Sequence, residues 1–328
     1  MYLFWTDPAV RLTGRWSRDN SGLAVATATG AYIEIAFRGE MALLHFDMSY
    51  CIEPAPHLWI QVDGGAMVET PVAHHLRIRA QGAGNHVARI IYKSGVEAFH
   101  RWYAPLIARV AFQGVEADAP GDLPEDNRPI IEFVGDSITE GVLIDTDYSR
   151  TPAYPQDVYN RVYQDDVCAT YAWLTAEKLN LRPIMMGYGA VGTTRSGSGN
   201  VPAAAIAYPQ VYDGCAYTGE NPDIVVINHG ANDRAATAEK YIAAYSGLVD
   251  LIREKHPDAI ICSLGAFCGA FARDLEAYAA RYNSAHEKPI HFIDSTGWVP
   301  LEPLHPMRGG HRAIAEHLSK ALESILKG

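Results

Sequence analysis

Polar and apolar positions alternate along the first third of the chain and cluster along the rest. From about residue 24 to 118 the repeat is two residues. AYIEIAF sets Ile33, Ile35 and Phe37 on one side, and HLWIQV does the same with Leu58, Ile60 and Val62. HLRIRA, HVARIIY and LIARVAF continue the pattern, with turn signals such as DGG at 63–65 between them. Such alternation makes strands with one buried face. Several of them at this spacing predict an antiparallel β-sandwich or jelly roll. EADAPGDLPEDNRP, residues 116–129, then breaks the pattern with Pro, Asp and Glu, the composition of an interdomain linker.

Beyond the linker the grammar changes. IIEFV (130–134), RPIMM (182–186), DIVVI (223–227), AIICSL (259–264) and IHFI (290–293) are short, continuously apolar runs. Runs of this kind suit parallel strands buried on both faces. Between and after them lie four helical stretches: DVCATYAWLTAEKLN, AEKYIAAYSGLVDLIREKH, AFARDLEAYAARYNSAHE and HRAIAEHLSKALESILK. Strand and helix in alternation predict a doubly wound α/β domain. The expected division is a β-sandwich over 1–118, a linker over 119–128 and the α/β domain over 129–328.

In an open α/β sheet, ligands bind beyond the carboxyl ends of the strands, where strand order reverses. The residues that follow each strand therefore matter most. GDSITEG follows the first, GYGAVGTTRSGSGN the second and NHGANDR the third, and LEPLHPMRGGH lies between the fifth and the last helix. If the strand order is flavodoxin-like, Ser137 and Asn232 face each other across the crevice. Chemically the set suits acyl transfer. A serine hydroxyl needs a base during attack, and His305 can be that base because neutral imidazole titrates near working pH. The tetrahedral intermediate needs fixed hydrogen-bond donors. The backbone N–H groups of Ser137 and Gly192 and the side-chain amide of Asn232 are the candidates.

GDSIT, the glycine of GAVGTT, GAND and HP, in this order and at these strand ends, resemble the GDSL or SGNH hydrolase family. The resemblance implies a flavodoxin-like, three-layer hydrolase domain, with Ser137, Gly192, Asn232 and His305 as the four residues that name the superfamily. A β-sandwich ahead of that domain, with TGRW, IEIAFRG and VDGG, is similar to carbohydrate esterase family two. That resemblance implies an acetyl xylan esterase-like enzyme that removes O-acetyl groups from carbohydrates without metal or cofactor. One position departs from the family pattern, which has Asp three residues before the histidine. Glu302 stands there instead, in EPLH. A glutamate can orient imidazole by the same hydrogen bond, but its extra methylene changes the reach, and a backbone carbonyl could orient His305 in its place.

Each residue also has a plainer reading. Ser137 can begin a helix as its cap, Asn232 can be a turn residue, and His305 can be a surface histidine. Their joint placement is what favours chemistry. Asp136 reads as structural, holding the turn, and Thr139 as a cap. GYGAVG matches the dinucleotide fingerprint G-x-G-x-x-G, but it follows the second strand and no amphipathic helix follows it. HEKPIH has one residue too many for both histidines to share a helix face around a metal. G-x-S-x-G is absent around Ser137, which disfavours the α/β-hydrolase elbow. Tyr148, Tyr154, Tyr159 and Tyr163, just behind the nucleophile, suit either sugar rings or an oligomer contact.

The net charge of −11 argues against nucleic-acid and anionic-membrane partners. No apolar run is long enough to span a membrane, and the N-terminus lacks the pattern of a signal peptide. With five scattered cysteines, a cytoplasmic protein with reduced thiols is expected, although a removed export signal stays open. The expected partner is a small-molecule or oligosaccharide ester, and homo-oligomerisation is left open. Two readings compete with the carbohydrate esterase. One is a lipase or thioesterase on the same fold, and the other a non-catalytic carbohydrate-binding protein.

Overall fold

The computed structural model describes residues 1–18, 22–146 and 160–327. The N-terminal part is one antiparallel assembly of nine strands: β1 (Tyr2–Phe4), β2 (Val10–Thr13), β3 (Ala24–Ala26), β4 (Tyr32–Phe46), β5 (His57–Val62), β6 (Val68–Pro71), β7 (His75–Arg79), β8 (Asn85–Ser94) and β9 (Val110–Pro120). The 15-residue β4 organises it. Its first half pairs with β2 and β8 and its second half with β7, while β9 runs beside both halves with a register shift between Arg38 and Ala42. Gly39 lies in that shift with φ +101°, where any side chain would be strained and a Cβ would strike the Asp118 carboxylate. Ile33, Ile35 and Phe37 point into the core with Leu44, Leu58 and Ile78, as the alternation predicts.

The other face of this sheet is also buried. Tyr32 and Ile91 pack with Trp173, Ile131 and Phe133 of the second part of the chain, and Tyr32 meets Trp173 edge-on at 6.0 Å between ring centroids. The alternating strands are thus half-polar in sequence yet covered on both sides at the seam. After β9 the stretch 121–129 has no regular structure, but it is pinned. Arg11 donates to the Pro124 carbonyl and Asn85 to that of Asp122.

The second part holds a five-stranded parallel sheet of β10 (Ile130–Gly135), β11 (Arg182–Gly187), β14 (Ile224–Asn228), β15 (Ile260–Leu264) and β16 (Ile290–Ile293), in the order β11-β10-β14-β15-β16. Its first and third strands are neighbours, which is the flavodoxin-like order. A small hairpin, β12 (Gln210–Tyr212) and β13 (Cys215–Ala216), stands apart. The helices are α1 (Ser137–Glu140), α2 (Arg161–Gln164), α3 (Tyr171–Lys178), α4 (Ala204–Ala207), α5 (Ala238–Lys255), α6 (Ala272–Ala285) and α7 (Arg308–Lys327). Tyr241, Tyr245 and Leu248 of α5 and Leu275 of α6 cover Val225 and Ile227 on one face of the sheet. Trp173 of α3 and Ile314, Leu318 and Leu322 of α7 cover Ile131 and Phe133 on the other. Three layers result, with the antiparallel sheet packed alongside.

One charged residue interrupts the apolar run of β10. Glu132 is fully buried, which is tolerable only with partners. Arg15 supplies a guanidinium at 2.7 Å and Tyr208 a hydroxyl at 2.7 Å.

Candidate active site

β10 ends in Gly135, and Asp136 begins the turn into α1. Its carboxylate accepts the Ile138 N–H at 3.0 Å, so Asp136 is the helix cap. Ser137 is the first helical residue and its hydroxyl is free of that duty. It stands 2.9 Å from Nε2 of His305, a nucleophile–base distance. The two residues are 168 positions apart in sequence and both are buried. Thr139 is not a cap either: its hydroxyl meets that of Tyr171 at 2.8 Å. Gly141, with φ +94°, closes the short helix.

Burial pushes the His305 imidazole below its ordinary value. The nearby Glu97 carboxylate opposes that shift and the Arg161 guanidinium adds to it. A histidine so placed is neutral at neutral pH and able to accept a proton. Glu302 is not beside it. The structure leaves Glu302 exposed, with no hydrogen bond or ion pair to His305, so the expected Glu302–His305 contact is absent. The reason is local: Leu301 and Glu302 ride on the surface, and only at His305 does the chain dip inward. An exposed carboxylate keeps its hydration there, and nothing draws it into the site.

The three proposed oxyanion donors all lie in the segments just past the carboxyl ends of β10, β11 and β14, in different states. The Asn232 side-chain nitrogen donates to Asp136 Oδ2 at 3.0 Å and to the Val191 carbonyl at 3.1 Å. These two bonds tie together the segments that follow β10, β11 and β14. The Gly192 N–H donates to the Arg195 carbonyl at 3.1 Å. The Ser137 N–H has no acceptor among the described residues. An oxyanion would therefore meet one open donor and two that must be shared or turned. The Asp136 carboxyl is pushed up to about 7, chiefly by burial, with Asp233 and Glu140 adding and the Ile138 N–H opposing.

Several residues of the site are not among the predicted ones. Asp233 accepts from the Thr193 and Thr194 N–H groups at 3.1 and 2.8 Å and from the Thr194 hydroxyl at 2.6 Å. It thereby fixes the loop that presents Gly192. A Cβ at position 192 would lie 2.5 Å from Asp233 Oδ1, which is why that position is glycine. The adjacency of Asp233 to Asn232 in GAND was the available signal. Arg101 and Glu97 reach the site from the chain between β8 and β9, and nothing in their neighbourhood marks them.

The G-x-G-x-x-G stretch has another use. A Cβ at Gly189 would fall on the Glu97 carboxylate, and Glu140 Oε2 accepts the Gly189 N–H at 2.6 Å. Two carboxylates thus occupy the place where a dinucleotide would need to put pyrophosphate. His286 and His291 of HEKPIH sit on different elements, at the end of α6 and in β16. Among the described residues no three His, Cys, Asp or Glu side chains are grouped to hold a metal ion, and no disulfide joins the cysteines. Tyr163 is exposed and packs edge-on against His57. Tyr148, Tyr154 and Tyr159 lie outside the described residues. No helix among those residues is long and apolar enough to cross a membrane.

Comparison with known proteins bears on the fold and the family. Among solved structures the chain is similar to a family two carbohydrate esterase from Cellvibrio japonicus, at TM-score 0.80 and 19% identity over 100% of this chain and 98% of that one. A family two carbohydrate esterase from Clostridium thermocellum, solved in complex with cellohexaose, matches at TM-score 0.77 and 21% identity over 97% and 99%. An acetyl xylan esterase from the rumen bacterium Butyrivibrio proteoclasticus matches at TM-score 0.78 and 16% identity over 100% and 99%. At these identities the likeness is one of fold, both sheets included. No curated protein matches the sequence. Residues 133–319, more than half of the chain, match the model of the GDSL-like Lipase/Acylhydrolase family. The chain therefore belongs to the GDSL-like lipase/acylhydrolase family and is a carboxylic ester hydrolase.

Proposed function

We propose that the protein is a serine esterase that removes short acyl groups, acetyl above all, from hydroxyls of a carbohydrate. The observation that carries this reading is the 2.9 Å approach of Ser137 Oγ to His305 Nε2 at the carboxyl edge of the sheet. In the first half-reaction Ser137 Oγ attacks the ester carbonyl as His305 Nε2 takes its proton. Negative charge on the former carbonyl oxygen is met by the Ser137 N–H and by turned or shared bonds from Gly192 and Asn232. The C–O bond to the sugar then breaks, and His305 returns the proton to the departing hydroxyl. In the second half-reaction water attacks the acyl-enzyme with His305 as base, releasing the carboxylic acid and restoring Ser137.

Three features support the substrate class. Ser137 and His305 are both buried, so the acyl group must fit into the enclosed space beside them to be attacked. A net charge of −11 disfavours anionic partners and leaves a neutral oligosaccharide unaffected. Structures of the same two-sheet architecture carry the name carbohydrate esterase, and one was solved with cellohexaose. The test is acetate release from a panel of acetylated oligosaccharides, beside aryl esters from acetate to octanoate. The reading expects release from at least one sugar and a maximum at acetate. A maximum at octanoate, with no release from any sugar, would replace it with a lipase or thioesterase.

A further inference from the structure

Arg101 lies outside the parallel-sheet domain, in the chain between β8 and β9, yet it is fully buried. Its two terminal nitrogens bind the two oxygens of Glu140, Nη2 to Oε2 at 3.0 Å and Nη1 to Oε1. Glu140 is the last residue of α1, three after Ser137. The same Oε2 accepts the Gly189 N–H at 2.6 Å, at the start of the loop that ends in Gly192. One guanidinium fork therefore holds one carboxylate, and that carboxylate joins the nucleophile's helix to the loop of a proposed oxyanion donor. Two further bonds fix the same place. Thr29 donates to the Glu140 carbonyl at 3.0 Å, and the Arg101 N–H donates to the Gly199 carbonyl at 3.1 Å.

A second buried pair crosses the same seam and offers a contrast. Arg15 and Glu132 are as fully buried as Arg101 and Glu140. Their remaining partners, however, are Tyr208, the Gln210 carbonyl and the Tyr217 ring, none of them in the segments 136–140 or 189–194. The two pairs are alike in chemistry and differ in what they hold.

We propose that Arg101 is a positioning residue for ester hydrolysis: through Glu140 it sets Ser137 and the 189–192 loop relative to each other, so that the antiparallel domain is a working part of the active site. The proposal rests on Ser137 being the nucleophile. A bidentate fork has a geometry that lysine cannot reproduce, and misplacement by about 1 Å can lower turnover about a hundredfold.

The test compares kcat, KM and melting temperature on an aryl acetate for the full-length protein. Arg101→Lys should lower kcat about a hundredfold, with KM changed less than about threefold. The neutral pair Arg101→Met with Glu140→Gln removes both charges together. It should melt near the wild type and still show the low kcat. Arg15→Met with Glu132→Gln, the same replacement in the other pair, should likewise melt near the wild type and leave kcat within about twofold. Wild-type kcat in a folded Arg101→Lys, or in the Arg101–Glu140 neutral pair, would overturn the proposal. So would unfolding of both, because the fork would then hold the fold and not the site. Ser137→Ala, measured alongside, separates the two ideas. Full activity there undoes the nucleophile assignment, whereas full activity in the Arg101 variants beside an inactive Ser137→Ala undoes only the positioning role.

Discussion

Glu140 and Glu302 each lie three residues from one half of the proposed dyad, and their surroundings could hardly differ more. Every residue from 130 to 144 is buried. Within that stretch Glu140 is held by Arg101 on both oxygens and holds Gly189 in turn. Around Glu302, Leu301 is 63% exposed, Pro303 and Leu304 are partly covered, and the chain is enclosed only at His305. Burial at the first site makes an unpaired carboxylate costly, and both Glu140 oxygens are accordingly held. Water satisfies the carboxylate at the second. A glutamate near a catalytic residue is therefore informative through its burial and partners more than through its spacing along the chain.

The largest effect expected concerns the residue that both stretches serve. Ser137→Ala should lower ester hydrolysis by at least about a thousandfold, since loss of a nucleophile leaves only binding and oxyanion stabilisation. Comparable turnover in the variant would remove the basis for the comparison. Next comes Asn232→Ala, which loses a donor and frees the segments it ties. A drop in kcat of about a hundred- to a thousandfold is expected, read from steady-state kinetics on an aryl acetate. A drop of less than about fivefold would mean that the amide bound to Asp136 and Val191 never turns to the substrate.

Smaller effects sharpen the contrast. Neutral His305 is the active form, so protonation removes activity as pH falls. Burial holds its imidazole below the usual value, with Glu97 opposing and Arg161 reinforcing. The acid limb of kcat/KM should accordingly have its midpoint below about 6.5, the unperturbed value. A midpoint clearly above that would show that a carboxylate governs the base. Glu302→Gln should change least, with kcat within about twofold and stability within about 0.5 kcal/mol, as for a surface substitution. A tenfold fall in kcat would return Glu302 to the site.

Much of this architecture was legible from periodicity. The two-residue repeat gave strands with Ile33, Ile35 and Phe37 inward, and the continuous apolar runs gave five parallel strands whose order puts the first beside the third. Blocks of short motif at strand ends located Ser137, Gly192, Asn232 and His305 at one edge. The remainder depends on contacts between segments far apart in sequence, and single residues do not announce these. Arg101 reads as one more charged surface residue in a loop, because its value lies in Glu140, 39 positions away. Tyr32 reads as the polar-side residue of a strand, yet it packs against Trp173. Spacing also misplaced Glu302, since three residues of irregular chain do not set a direction. A capping serine and a nucleophilic serine look alike in sequence. The bond from the Ile138 N–H to Asp136 takes the capping role away from Ser137, and the approach of His305 Nε2 supports the other reading.

The most direct measurement of the central claim is chemical trapping of the acyl-enzyme. The full-length protein is mixed with an aryl acetate, quenched in acid within the first turnovers and mapped by peptide mass spectrometry. An acetyl group on Ser137, lost on longer incubation and absent from Ser137→Ala, is the predicted result. Turnover of the ester with no acetyl on Ser137, or with a kinetically competent acetyl on another residue, would contradict the account.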